Sequence, residues 1–506
     1  MSSSPAPGRP PPTARSHCAL AEVGDSIRLD NVGRSGRVPT RAVGALAVLF
    51  ALLAGLGCGG QGAPRAPAAA DAQARSRDLG LDLPRAAMQA DLDYWFATLE
   101  AVHPDPYAKI PRAAFHAELA AARARLPESA DPFAFYAVLQ RLAAMLHDSH
   151  TDVWYPRDTR AYRDAWWPVE TVVRDGRLFV ATEHAGLAKA TEITKVNQWP
   201  SSVLLRAATA LTSAESQEAA LYQASFSIGA ALWLAGGRAP FHVEGKLASG
   251  SRVNAELAGQ SPLDQPPPQS VPPFELNWTD SNVARLVIRA MNDVDGFARF
   301  IEAAAAELVL RRAQGLIVDL RENYGGDTTV GELLLERITD KPYRIAAEKW
   351  WRVSEQYRPL ARENYGEDSE YLAAPPGTVL RYRFEPRRPK QVSLRYTGPV
   401  CFLIGPNTAS SAMMLANAVE DYQLAPLIGE PTTSPPNYFG EVLKFDLPRT
   451  KLRAQSSVAR FVRANGDASN PHPVRPNIAL APTVEQWARG EDPVLARALE
   501  WIATGR

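Results

Sequence analysis

The chain has 506 residues, of which 46% are hydrophobic and 22% are charged. That length corresponds to two or three domains at about 150 residues each, and that composition excludes wholesale disorder. The 55 Lys and Arg residues equal the 55 Asp and Glu residues in number, so charge gives no reason to expect nucleic acid as a partner. Only three cysteines are present, Cys18, Cys58 and Cys401, too few for a disulfide framework.

The N-terminus carries a targeting signal. A Ser-, Pro- and Arg-rich leader is followed by an apolar run between Arg41 and Cys58. At roughly 16 residues the run suits a signal-peptide core better than a membrane span, which needs about 20. Its end resembles a bacterial lipoprotein signal, with Cys58 as the lipidated residue, although Gly55 stands where leucine is favoured. An uncleaved anchor is the alternative, and both place the rest of the chain outside the cytoplasm.

Residues 1–58 are therefore predicted to be leader and signal, and residues 59–84 a flexible tether. The long basic leader leaves open where translation begins. Residues 85–155 are predicted to form an N-terminal helical bundle of three helices, because apolar residues recur every three to four positions. Asp131-Pro132 forms the cap and first position of the third helix.

The remaining chain is predicted to form a small α+β module at 165–261, a linker at 262–275 and a layered α/β domain at 276–506. In the module, short β-like runs flank a helical stretch. In the α/β domain, continuous apolar strands alternate with helices, as in a buried sheet. The predicted strands of this domain are Val283–Ile288, Leu316–Leu320, Val400–Ile404 and Leu427–Gly429, and its helices are 294–312, Leu333–Ile338 and 411–422. Cys401, in an apolar strand, is expected to be a buried core residue.

Two loops of this domain carry the chemistry. One contains Gly325-Gly326, whose backbone can approach a ligand closely, and the other places Ser410 and Ser411 at the start of a helix. A hydroxyl beside free N–H groups suits acyl transfer through an oxyanion, and His150 is a candidate base. Each feature also has a plain structural interpretation: a helix cap, an ordinary turn and a structural histidine.

Together these segments resemble the C-terminal-processing (tail-specific) serine peptidases. The resemblance covers roughly residues 85–505 and rests mainly on LIVDLRENYGGD at 316–327, NTASSAMMLANAV at 407–419 and HDSHTDVW at 147–154. It implies a crotonase-like (ClpP/crotonase) layered α/β catalytic domain, an N-terminal helical bundle and a degenerate PDZ-like module at 165–261. The module's EITKVNQWP segment has Gln198 where glycine is usual.

The resemblance assigns Ser410 as the nucleophile and the N–H groups of Gly326 and Ser411 as the oxyanion hole. Relatives with a Ser/Lys dyad have lysine 25 residues after the serine, but position 435 is proline, and Lys444 is interpreted as a solvated strand residue. This departure favours the tricorn-core and interphotoreceptor-retinoid-binding-protein-like branch, in which a Ser-His pair serves the nucleophile.

In that branch Ser149 and His150 match the pair. The acidic partner falls at Asn470 by register, and Asp467 is a substitute. The resemblance implies a serine endopeptidase that needs no metal or cofactor, acts on protein or peptide substrates in the bacterial cell envelope and is anchored to the membrane by its lipid. The alternatives are a catalytically silent module that binds peptides or apolar ligands, and another hydrolase or lyase on the same scaffold.

Overall fold

The N-terminal part of the fold is a helical bundle. The computed structural model describes residues 83–156, 165–261 and 271–505. Asp131 caps the third helix of the bundle by accepting hydrogen bonds from the N–H groups of Phe133 and Ala134, with proline at the first helical position. The elements of the bundle are β1 (Leu83–Pro84), α1 (Arg85–Val102), α2 (Arg112–Ala124), β2 (Ser129–Ala130), α3 (Pro132–Ala144) and β3 (Asp152–Val153).

The middle module is an antiparallel sheet covered by helices. Its strands run in the order β4-β5-β6-β8-β9, and β7 pairs with β6. Its elements are β4 (Thr171–Arg174), β5 (Arg177–Val180), β6 (Glu192–Val196), β7 (Trp199–Pro200), α4 (Ser201–Thr209), α5 (Gln217–Gln223), α6 (Ile228–Leu234), β8 (Phe241–Lys246) and β9 (Arg252–Leu257).

The largest core surrounds a six-stranded sheet in the order β10-β11-β12-β15-β16-β19, parallel except for β10. Every residue of β12 is buried, because helices cover both faces of the sheet. The elements are β10 (Phe274–Trp278), β11 (Val283–Ile288), α7 (Val294–Leu310), β12 (Gly315–Asp319), α8 (Thr328–Ile338), β15 (Val400–Ile404), α11 (Ser410–Asp421), β16 (Leu427–Gly429), β19 (Ile478–Ala479), α12 (Val484–Ala488) and α13 (Pro493–Thr504).

A second sheet links the bundle to this domain. It is antiparallel, in the order β14-β13-β18-β17, and β3 of the bundle pairs with β18 through Val153 opposite Ala454 and Asp152 opposite Gln455. The pairing holds the segment before β3 against the α/β domain. The remaining elements are β13 (Glu348–Arg352), α9 (Arg358–Tyr365), α10 (Glu370–Ala373), β14 (Val379–Arg383), β17 (Tyr438–Asp446) and β18 (Arg453–Val462).

The predicted mixed α/β architecture is confirmed, and the three bundle helices and four buried strands form where the sequence indicated. Two features differ. The second sheet was not predicted, and β10 begins at Phe274, inside the segment predicted as linker. Cys18, Cys58 and nearly all of the predicted tether lie outside the described residues. Within the described ranges, no helix combines the length and apolar character needed to cross a bilayer.

Candidate active site

Ser410 stands at the first position of α11, directly after the loop that leaves β15. Thr408 fixes this loop: its hydroxyl donates to the carbonyl of Leu320 at 2.8 Å and accepts from the N–H of Gly405 at 3.0 Å. Ser410 has φ +48°, the left-handed region that residues with a Cβ rarely adopt. Such strain persists only where the surroundings impose it, and it is concentrated at functional sites.

The glycine loop packs directly against Ser410. Because β12 and β15 are parallel neighbours, the loops that follow them leave the same edge of the sheet. Asn323 ties the two loops together, since its side chain accepts from the N–H of Gly325 at 2.8 Å and its carbonyl accepts from the N–H of Ala409 at 3.0 Å. Gly325 has φ +104°, and a Cβ there would lie 2.7 Å from the Cβ of Ser410. Only glycine fits.

Two backbone amides beside Ser410 are available to a ligand. The carbonyl of Gly325 accepts from the N–H of Met291 at 3.0 Å, so the N–H of Gly326, on the other side of the same trans peptide, points away from Met291. The N–H of Ser411 lies in the free first turn of α11. Within the described part of the chain, neither amide donates a hydrogen bond to a protein acceptor. The predicted oxyanion donors are thus adjacent to the predicted nucleophile.

Buried Asp148 holds the histidine segment in place. Its carboxylate accepts from His103 Nε2 at 3.1 Å, Thr151 Oγ1 at 2.6 Å, Ser457 Oγ at 2.7 Å and the N–H of His150 at 3.0 Å. Burial raises the pKa of Asp148, but the hydrogen bond and charge of His103, with smaller contributions from His150 and Thr151, lower it further than burial raises it. The anion therefore ties the segment to β18.

Ser149, His150 and Glu215 form a chain of hydrogen bonds. Ser149 Oγ lies 2.6 Å from Glu215 Oε1 and 3.2 Å from His150 Nδ1. A carboxylate only accepts, so the single hydroxyl proton of Ser149 goes to Glu215, and the oxygen of Ser149 accepts from His150 Nδ1–H. The neutral imidazole then carries its lone pair on Nε2, the tautomer that a general base requires.

Tyr438 joins the two halves of the site. Its ring centre lies 5.5 Å from that of His150, and its hydroxyl also interacts with the side chain of Ser410. The hydroxyl donates to Met414 Sδ at 3.1 Å. Burial is the main cause that raises the pKa of Tyr438 above its ordinary value, which keeps the phenol neutral. Tyr438 was not predicted from the sequence.

The predicted acidic partners lie elsewhere. Asp467 accepts hydrogen bonds from Ser469, and the side chain of Asn470 accepts from the N–H of His472, so both are engaged within their own loop. The carboxylate in contact with Ser149 is Glu215 of the middle module. Lys444 lies in β17 with its ammonium 5.7 Å from the ring centre of Trp154, as expected for a strand residue outside the catalytic group.

The ligand atoms of Asp148, His150 and Glu215 lie within 4.8 Å of one another, a spacing that a metal ion could also use. Hydrogen-bond donors already occupy the carboxylate oxygens, however. Asp148 accepts four such bonds, and Glu215 accepts from Ser149 at one oxygen and from Ser434 Oγ, at 2.8 Å, at the other. A cation would have to displace these donors, so we interpret the group as a hydrogen-bond network.

Arg321, next to the glycine loop, has a structural role. It donates to Asp319 and binds both oxygens of Asp492 at 2.8 Å, which fixes the start of α13 to the end of β12. Cys401 is buried in β15, and burial raises the pKa of its thiol to about 12. Neither residue contributes a reactive group.

Comparisons with known proteins bear on the family and the fold. The model of peptidase family S41 matches residues 282–480. The crystal structure of mature CPAF is 16% identical, with a TM-score of 0.58 and coverage of 83% of this chain and 98% of that one. Mature CPAF complexed with lactacystin is also 16% identical, with a TM-score of 0.60 and coverage of 83% and 99%. None of the curated proteins matches this chain in sequence. Residues 282–480 thus match peptidase family S41, and the chain is a serine peptidase.

Proposed function

We propose that this serine peptidase is an endopeptidase in which Ser410 is the nucleophile and His150 the base. The observation that carries the proposal is the position of Ser410. Its strained backbone lies against the Gly325-Gly326 turn beside two free amides, and its side chain shares a contact residue, Tyr438, with the imidazole of His150.

In the proposed reaction, rotation about χ1 of Ser410 directs its Oγ–H toward Nε2 of His150. His150 takes the proton as Oγ attacks the scissile carbonyl carbon. The N–H groups of Gly326 and Ser411 hold the resulting oxyanion, and each such donor contributes about 3 kcal/mol to transition-state stabilisation. The imidazolium then gives its proton to the leaving amine, and water hydrolyses the acyl-enzyme with His150 again as the base.

The finer assignments of fold and location belong to the same proposal. We infer a crotonase-like layering for residues 276–506, a PDZ-like character for the middle module, and membership of the tricorn-core and interphotoreceptor-retinoid-binding-protein-like branch. The branch assignment is supported by the absence of lysine at position 435, which is proline, and by the Ser149-His150 pair. The signal-like segment ending at Cys58 supports a lipid-anchored enzyme on the outer side of a bacterial membrane.

The test uses an active-site-directed fluorophosphonate probe and hydrolysis of a denatured protein substrate. Wild type should be labelled and should cleave the substrate. Ser410→Ala should lose both properties, with a fall of at least about a thousandfold in kcat/KM. Ser469→Ala is the matched control, because Ser469 is an exposed loop serine bonded to Asp467, and it should behave as wild type.

Two outcomes would contradict the proposal. Full hydrolysis by Ser410→Ala would exclude Ser410 as the nucleophile. A folded wild type that neither reacts with the probe nor cleaves protein would favour the silent binding module instead.

A further inference from the structure

We propose that Glu215, a residue of the middle module, supplies the negative charge that positions His150, so that the peptidase is complete only while this module is docked. The inference rests on the proposed function and deepens it. Glu215 is a positioning residue, since it contacts Ser149 rather than the substrate or the reacting atoms.

Two carboxylates, those of Asp148 and Glu215, lie close enough to His150 to position it. Asp148 lies two residues before His150, but it accepts from the backbone N–H of His150, and its other contacts are His103, Thr151 and Ser457. Asp148 therefore secures the main chain. Glu215 reaches the imidazole itself, through the hydroxyl of Ser149, and so only Glu215 determines which ring nitrogen carries the proton.

Glu215 belongs to a different part of the fold from Ser149 and His150. It lies in the loop between α4 and α5 of the middle module, 66 residues from Ser149. Its second oxygen accepts from Ser434 Oγ of the α/β domain. Its carboxylate thus bridges the bundle and the α/β domain, whereas Asp467 and Asn470 are engaged in their own loop.

The middle module makes a second contact, with the loops that carry Ser410 and Gly325. Tyr222 of α5 donates to Asn407 Oδ1 at 3.2 Å, and Asn407 Nδ2 donates to Glu322 Oε2 at 3.1 Å. These residues belong to the loop before Ser410 and the loop of Gly325. The docked module therefore contacts both nucleophile loops and delivers the carboxylate across the same surface.

The experiment compares Glu215→Gln with Glu218→Gln in the full chain. Glu218 is an exposed residue of α5 three positions away and serves as the control. Glu215→Gln should lower kcat/KM by about ten- to a thousandfold, chiefly in kcat, because the amide no longer stabilises the imidazolium that forms during attack. Glu218→Gln should leave kcat/KM within about twofold of wild type.

The pH profile separates a charge role from a merely structural one. Without Glu215, the imidazolium loses an opposite charge within reach, and the acidic limb of kcat/KM should move to lower pH by roughly one unit. The other groups that face this cluster are unchanged in the variant and keep their effects. They are Asp148, Tyr438, Lys109, Arg460, Glu441 and His103.

A double-mutant cycle of Glu215→Gln and Ser149→Ala measures whether the two residues act through each other, which a folding defect in one variant would not imitate. Ser149→Ala removes the bridge but keeps the carboxylate, so the combined variant should lose little more activity than either single one. Two results would overturn the inference while leaving the proposed function intact: an unchanged rate and acidic limb for Glu215→Gln in an enzyme that Ser410→Ala inactivates, or single losses that multiply in the double variant. Failure of wild type to react with the fluorophosphonate probe would instead refute the proposed function.

Discussion

Substitution of Gly325 by alanine should inactivate the enzyme through the nucleophile itself. The added Cβ would lie 2.7 Å from Ser410 Cβ, 2.8 Å from the amide nitrogen of Ser411 and 3.0 Å from the carbonyl oxygen of Ala409. None of these atoms is the far end of a flexible side chain, so no rotamer change relieves the contact. The start of α11 must move away from the glycine loop.

The size of the effect follows from these distances. The closest contact is roughly 0.7 Å short of an ordinary one, and a displacement approaching 1 Å in a catalytic site costs about a hundredfold in rate. The same movement shifts an oxyanion donor, Ser411 N–H, whose loss costs about 10²–10³ in kcat. We expect Gly325→Ala to lower kcat/KM by about 10²–10³, or about 3–4 kcal/mol of transition-state stabilisation.

The matched control is Gly377→Ala. Gly377 has φ +85°, against φ +104° for Gly325, but a Cβ there meets no atom within 4 Å. Both variants carry the strain of a left-handed residue, about 1–3 kcal/mol, and urea unfolding measures it for each. Only Gly325→Ala should lose activity and probe labelling. Retention of a third or more of wild-type kcat/KM by folded Gly325→Ala, or equal activity losses in both variants, would refute the reasoning.

Asp152→Asn should stabilise the protein increasingly as the pH rises from about 4 to 7. Burial is the main cause that raises the pKa of Asp152 to about 7, outweighing its hydrogen bonds to Gln140, Val153 and Ser213. The folded state therefore holds a proton that the unfolded state releases near pH 4, and wild-type stability falls as pH rises between about 4 and 7. Because part of the side chain is exposed, we expect a gain of about 1–2 kcal/mol for the variant at pH 8 and about a third of that at pH 5 in urea unfolding, and equal gains at both pH values would contradict the assignment. Cys58→Ser should move the protein from the membrane fraction to the soluble fraction of expressing cells and abolish incorporation of radiolabelled fatty acid, whereas unchanged fractionation would exclude acylation as the anchor.

The sequence was sufficient for the local structure of the parts of the candidate site that lie within one continuous segment. The proposed nucleophile, its helix and the glycine loop each lie within a dozen residues of a buried strand, and local rules determine their conformation: a continuous apolar strand, a turn with positive φ and a free first helical turn. The bundle helices followed from apolar spacing and from the Asp131 cap for the same reason.

The second sheet was missed because its strands lack a simple pattern. Strand β13 reads Glu-Lys-Trp-Trp-Arg, and only Trp351 of it is fully buried, while β17 mixes buried residues with Glu441 and Lys444. Their aliphatic and aromatic faces become buried only when α1, α9 and α10 pack over them. Such strands are determined by tertiary contacts, which outweigh local pattern.

The register of the family predicts the acidic partner at Asn470, whereas the carboxylate bonded to Ser149 is Glu215. That register assumes that the carboxylate comes from the same part of the chain in every relative. Here the loop of Asp467 and Asn470 is held by bonds to its own backbone and to Asn437. Glu215 has no motif around it, and its position becomes evident only through contacts to Ser149 and Ser434, far away in the sequence.

Ser410 with its proposed oxyanion donors, His150 and Glu215 come from different parts of the fold, which implies one level of activity with the middle module docked and a lower level without it. Ser410 and its oxyanion donors sit at the edge of one fully packed parallel sheet, and His150 is tied to the same domain by the pairing of β3 with β18 and by Asp148. Glu215 alone depends on the docking of a separate module. A movement of that module by about 1 Å would break the 2.6 Å bond to Ser149 yet leave the nucleophile and its amides in register. Because oxyanion stabilisation and substrate binding alone retain about 10³–10⁴ of rate over the uncatalysed reaction, the undocked enzyme would be slow rather than inert.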